Sequence, residues 1–137
     1  MTFWIMGSAP SSAMDSLGAY TWKNRVLIIA GRVDDEKLRR QIVLLQSHGT
    51  DLAERDLVVL QIGRDELRTL YGDKRRTNPK AVRQEANITG EAFQLILIGK
   101  DGGVKLRRDQ PVSADEIFSI IDVMPMRRAE KTKSDAE

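Results

Sequence analysis

The chain has no cysteine and a single histidine, His48. Without thiols it can form no disulfide, no cysteine-ligated zinc or iron–sulfur site, and no thiol nucleophile. One histidine cannot assemble a metal site without further ligands, and the sequence offers none at ligand spacing around it. Long apolar runs are also missing: nothing approaches the roughly 20 residues that a bilayer span needs. Nor is there a strong charge of one sign. Lys and Arg number 22 against 20 Asp and Glu, a formal net charge of +2, which points to no specific nucleic-acid partner.

What is present is the composition of a folded domain, 41% hydrophobic and 31% charged over 137 residues. That length suits one core and is too short for two ordinary ones. The start, Thr2-Phe3-Trp4-Ile5-Met6 followed by small residues to Ala13, lacks the basic segment and the apolar length of an intact export signal. Residues 1–16 are therefore expected to form a flexible arm, residues 17–128 the folded domain, and residues 129–137 a disordered charged tail. The compartment stays open: the sequence reads as cytoplasmic as it stands, and as periplasmic or exported if the first residues are a truncated signal.

Arg25 to Ala30 is continuously apolar after its first residue, the pattern of a strand covered on both faces. Gly31 ends it, and Asp34 is the expected N-cap of a helix carrying Leu38, Ile42 and Leu45 at helical spacing, with His48 in its last turn and Gly49 just beyond. Leu57 to Ile62 is a second apolar run, completing a right-handed β-α-β unit with parallel strands. Leu67, Leu70 and Tyr71 have the spacing of a short helical turn, Asp73 to Arg76 reads as a solvated loop, and Asn78-Pro79 as the cap and first position of a helix running to about Asn87. Phe93 to Ile98, the turn Lys100-Asp101-Gly102-Gly103 and the alternating Val104 to Arg107 predict a β-hairpin whose second strand is an edge. Ser113 to Glu116 forms a capping box before the apolar stripe Ile117, Ile120, Ile121, Met124, and Pro125 stops that helix. The expected fold is α/β and thioredoxin-like: a β-α-β unit, a helix and a C-terminal β-β-α, with a mixed sheet flanked by helices. Ile28, Leu45, Leu60, Leu97, Ile117 and Ile121 are its predicted core.

Three stretches, Trp22 to Leu27, Leu95 to Arg107 and Ile121 to Arg128, resemble the stand-alone bacterial form of the DUDES-type domain, domain of unknown function 4174. This thioredoxin-like domain also occurs in vertebrate sushi-repeat and coiled-coil-domain extracellular matrix proteins. The resemblance implies the fold and carries over no catalytic residue, cofactor or reaction.

In thioredoxins the redox Cys-x-x-Cys lies between the first central strand and the next helix. Here that place holds Gly31-Arg32-Val33-Asp34, and the loop 88–92 lacks the cis proline that such folds set before the hairpin. A phosphoacceptor reading of Asp34-Asp35-Glu36 fails because Gln61 stands where the acceptor aspartate would be. Gly99 to Gly103 opens a strand, not the helix that a phosphate-binding Walker loop needs. Trp22 is expected to be an anchor at the edge of the core rather than a ligand platform. The remaining signal is basic: Lys100, Lys105, Arg107 and Arg108 around the hairpin, with Arg127 and Arg128 after the last helix. An edge strand with this rim suits an acidic protein or polyanion, although the sequence identifies no partner. The expected function is a non-catalytic binding module with no cofactor. The alternative is an enzyme or redox-associated protein using non-thiol chemistry.

Overall fold

All six residues of β1 (Arg25–Ala30) are buried. Strand alternation sends Val26, Ile28 and Ala30 into one apolar cluster and Leu27 and Ile29 into another, which is why the run is apolar throughout. The computed structural model describes residues 16–136, so the expected arm, Ser16 apart, lies outside the described residues.

β1 is the middle of a five-stranded sheet of order β3-β2-β1-β4-β5. Its neighbours are β2 (Leu57–Ile62), parallel, and β4 (Gln94–Ile98), antiparallel. β5 (Val104–Arg108) pairs antiparallel with β4 as the outer hairpin strand. These pairings are those expected from the sequence. The fifth strand is a correction: Leu67–Tyr71 is not a helical turn but β3, antiparallel to β2. Leu67, Leu70 and Tyr71 fit a helical period, but the fully buried β2 would otherwise leave one row of backbone donors and acceptors unpaired. Gly63 N–H donates to the Glu66 carbonyl at 2.9 Å to close the turn.

One face of the sheet carries α1 (Glu36–Leu45), α2 (Gly49–Glu54) and α4 (Ala114–Asp122), which bury Leu38, Leu45, Leu52, Ile117 and Ile121 against Leu27, Val59 and Leu97. The other carries α3 (Pro79–Glu85) and a 3₁₀ turn at Leu17–Tyr20, packing Val82 and Tyr20 on Ile28, Leu60 and Ile96. All six predicted core residues are fully buried. The expected caps hold at Asn78, whose side chain accepts from Lys80 and Ala81 N–H, and at Ser113, which accepts from Glu116 N–H. The first helix differs. It begins one residue later, capped by Asp35, and ends at Leu45. His48 is then the residue preceding α2 and Gly49 opens it, because the chain turns back there to bury Leu52.

The C-terminal residues are a further correction. Pro125–Ala136 is a helix, α5, so residues 129–136 are not a disordered tail. Proline suits its first turn, where no intrahelical donor is lost. The helix is docked by charge. Glu130 accepts from Arg25 Nη1 and Nη2 at 3.2 and 3.3 Å and from Lys100 Nζ at 2.7 Å, and Lys100 also reaches Asp56 at 2.9 Å. Arg127 donates to Asp122 and to the Glu54 carbonyl, while Arg55 forms a two-pronged pair with Asp122 at 2.9 Å for each contact and lies 4.4 Å over the Phe118 ring. Arg25, Lys100 and Arg127 are only 1%, 9% and 4% exposed, so these carboxylates are what make their burial tolerable.

Burial pushes the Glu130 carboxyl up, but the hydrogen bonds and charges of Lys100 and Arg25 together hold it below the usual glutamate range. A carboxylate with a depressed folded value contributes stability above its unfolded value of about 4.3, and that contribution is lost as pH falls through the folded value. Glu130→Gln should therefore cost about 1–3 kcal/mol at pH 7, measured by denaturant unfolding, and the gap from the parent should close in acid. A gap that stays constant from neutral pH to below pH 4 would show that the carboxylate charge is not what docks α5. On the apolar side, Ile121→Ala should cost about 2–5 kcal/mol in the same measurement; an unchanged midpoint would refute its place in the core.

Candidate functional site

β1 and β2 end side by side, and past their carboxyl ends the backbone stays bare of side chains at Gly31 and Gly63. Gly31 has φ +152, and a Cβ there would meet Leu38 Cδ1 at 3.3 Å. Around these glycines lies a cleft of about 660 Å³ whose lining includes Arg32, Val33, Asp34, Arg64 and Glu91. This is the position of the redox motif in thioredoxins, and Gly31-Arg32-Val33-Asp34 forms part of its wall. Asp34 is not the helix cap. It pairs with Arg32, which donates from Nε at 3.1 Å and Nη2 at 3.4 Å, while Asp35 accepts from Lys37 and Leu38 N–H at 2.7 and 3.2 Å. The Arg32 hydrogen bond lowers the Asp34 carboxyl, and Asp34 in turn raises the Arg32 guanidinium. Both shifts move away from neutral pH, so the pair stays ionised there.

The opposite wall comes from Arg83, in the helix expected from Asn78-Pro79, and from Arg68, in the segment expected to be a helical turn. Arg83, on α3, donates to the Gly63 carbonyl at 3.0 Å and to the Gly90 carbonyl at 2.7 Å, tying the turn after β2 to the loop before β4. That loop holds its shape through Gly90 at φ +72, and no cis peptide bond occurs among the described residues. Arg68 on β3 is steadied by Gln61, whose Oε1 accepts from its Nε at 3.3 Å. Arg83 lies on a helix that Asn78-Pro79 already announces, whereas the placement of Arg68 is legible only once β3 is recognised as a strand.

The four basic residues of the hairpin do not form one surface. Lys100 is withdrawn into the α5 contact described above. Lys105 Nζ donates to Asp101 at 3.0 Å. Arg107 donates to Gln94 Oε1 at 2.8 Å and to the Ala86 carbonyl at 2.6 Å, and Arg108 to the Arg107 carbonyl at 3.3 Å. Lys105, Arg107 and Arg108 are exposed on β5. Arg127 is buried in the charge network, unlike the exposed Arg128.

Gly99 to Gly103 is the hairpin turn, with Gly99 N–H donating to the Gly103 carbonyl at 2.9 Å. Trp22 is not a core-edge anchor: it is 66% exposed, with φ 68, and its N–H donates to the Lys100 carbonyl. Tyr20, two residues earlier, takes the buried position instead. His48 stands edge-on to Phe118 with ring centroids 5.8 Å apart, and among the described residues no group of three potential His, Cys, Asp or Glu metal ligands occurs.

The model of the family described as domain of unknown function (DUF4174) matches residues 16–130. Coiled-coil domain-containing protein 80 of Danio rerio is 30% identical over 139 aligned residues, which cover 88% of this chain but only 16% of that protein. Among solved structures, the reduced 2-Cys peroxiredoxin of Plasmodium vivax superposes with a TM-score of 0.56 at 18% identity, covering 84% of each chain. At that identity the likeness is one of fold, and it establishes the thioredoxin-like architecture for this sheet and its helices.

Proposed function

The chain belongs to the family described as domain of unknown function (DUF4174), and from that premise we propose that it is a non-catalytic binding module that takes up an acidic, extended segment of a partner protein along β5. The observation that carries this reading is the charge on an open edge. β5 has a strand neighbour on one side only, and all of its residues but Leu106 are exposed. The hydrogen bonds of Arg107 go to a neutral amide and a carbonyl, and that of Arg108 to a carbonyl, so no carboxylate among these partners offsets either charge. Lys105, by contrast, is largely neutralised by Asp101. A strand added to this edge would gain backbone hydrogen bonds, and its acidic side chains would meet the guanidinium groups. The same charges discourage pairing with the edges of other, non-acidic strands.

Thiol chemistry plays no part, since the chain has no cysteine. The purified protein should give no turnover in disulfide-reduction or peroxide-consumption assays, and thiol-independent turnover of any substrate would overturn the non-enzymatic reading. The surface is tested on immobilised polyglutamate. The parent chain should be retained at low salt and released as salt rises, and a Lys105→Glu, Arg108→Glu double variant should elute at markedly lower salt with an unchanged unfolding midpoint. Arg107 is left in place because it also satisfies the carbonyl at the end of α3. Equal retention of parent and double variant would remove β5 as the surface.

A further inference from the structure

The cleft beyond β1 and β2 is separate from the β5 edge, and its charges are unbalanced in a particular way. Five arginines line it against three carboxylates. Arg32 is paired with Asp34, and Arg83 donates to the Gly63 and Gly90 carbonyls. Arg39 donates only to a carbonyl, that of Asp34, at 3.3 Å. Arg68 uses Nε on Gln61, which leaves its terminal nitrogens to the cleft. The telling group is Glu91. Its Oε1 lies 3.7 Å from Arg32 Nη1 and its Oε2 lies 3.5 Å from Arg64 Nη2, so one small two-oxygen anion bridges guanidinium groups from two different loops at distances too long for good hydrogen bonds. The contact is that of a loosely held placeholder, since Arg32 and Arg64 are 62% and 74% exposed and Glu91 is 39% exposed.

We infer that the cleft is a binding site for a compact, doubly charged oxyanion, a phosphate group carried by a small molecule, which displaces Glu91 and is held between Arg64 and Arg68 with Arg32 alongside. A tetrahedral dianion presents oxygens in several directions at once and makes the two-pronged contacts that guanidinium groups favour. The bare backbone at Gly31 and Gly63 gives it room to approach, and the carboxyl ends of parallel strands are where open α/β sheets place ligands. Arg83 ties the turn beside Arg64 to the loop beside Glu91 through two backbone carbonyls, which leaves the cleft's carboxylates out of that brace.

The probe is inorganic phosphate at pH 8, titrated against the full chain by calorimetry and by thermal unfolding, with ionic strength held constant by sodium chloride. Saturable binding and a rising midpoint are expected with phosphate. An Arg64→Gln, Arg68→Gln variant should bind at least about tenfold more weakly, a loss consistent with two charge-assisted contacts. Glu91→Gln should bind roughly two- to fivefold more tightly, because the competing carboxylate is gone. Asp115→Asn, the same change of net charge at an exposed site on α4, should leave affinity unchanged. The inference is overturned if phosphate shows no saturable binding, if Asp115→Asn strengthens it as much as Glu91→Gln does, or if succinate, with two separated single charges, binds as tightly. Should the arginine double variant unfold, the Glu91 and Asp115 pair still decides the matter.

Discussion

β1 has neither an open face nor an open edge, and that constraint organises the molecule. A six-residue strand buried throughout needs a strand on each side for its backbone and an apolar layer above and below for its side chains. The parallel partner β2 is reached through α1, and the antiparallel partner β4 comes from the far end of the chain. Each then requires its own outer neighbour, which β3 and β5 supply. The two core clusters follow from the same strand, since its alternate residues divide between them.

The cost of that burial appears at the first residue of β1. Arg25 is drawn inside with the rest of the strand, and its guanidinium must find partners there. It finds the Arg55 carbonyl at 2.9 Å and the Glu130 carboxylate. Lys100, at the hairpin turn beside β1, shares the same carboxylate. A helix that its own composition would leave solvated is thereby fixed to the sheet. Hydrogen bonds from Arg55 likewise hold Asp122 below the usual aspartate range against the opposing effect of its burial, so the whole junction is one that acid weakens.

Much of this fold was legible from local pattern. The apolar runs gave β1, β2 and β4, the glycine turn gave the hairpin, and Asn78-Pro79 and Ser113 gave two helix starts, because in each case the determining residues are neighbours in sequence. What was illegible depends on distance. Leu67, Leu70 and Tyr71 carry a spacing that suits a helix, and only the unmet backbone of β2 makes them a strand. Arg25 and Glu130 are 105 residues apart, so neither Lys100 nor Arg127 could be distinguished from the solvated charges around them. Of the arginines facing Gly31 to Asp34 across the cleft, Arg68 depends on that same pairing of β2 with β3, whereas Arg83 lies on the helix that Asn78-Pro79 announces.

The two ends of β1 therefore treat positive charge in opposite ways. At its start, cations are buried and each is met by a carboxylate at hydrogen-bond distance, some at 2.7 to 2.9 Å. At its finish, arginines stay exposed, outnumber the carboxylates, and hold Glu91 only at 3.5 to 3.7 Å. Burial explains the first arrangement, since an unpaired cation there would be expensive. Burial cannot explain the second, because exposed guanidinium groups are comfortable in water wherever they stand. Their convergence on one cleft, where Arg83 ties the turn beside Arg64 to the loop beside Glu91, is thus a feature that stability does not require. In a fold whose usual chemistry at this position depends on a thiol, arginines in excess of carboxylates line the cleft instead, and on that excess the inferred anion site rests.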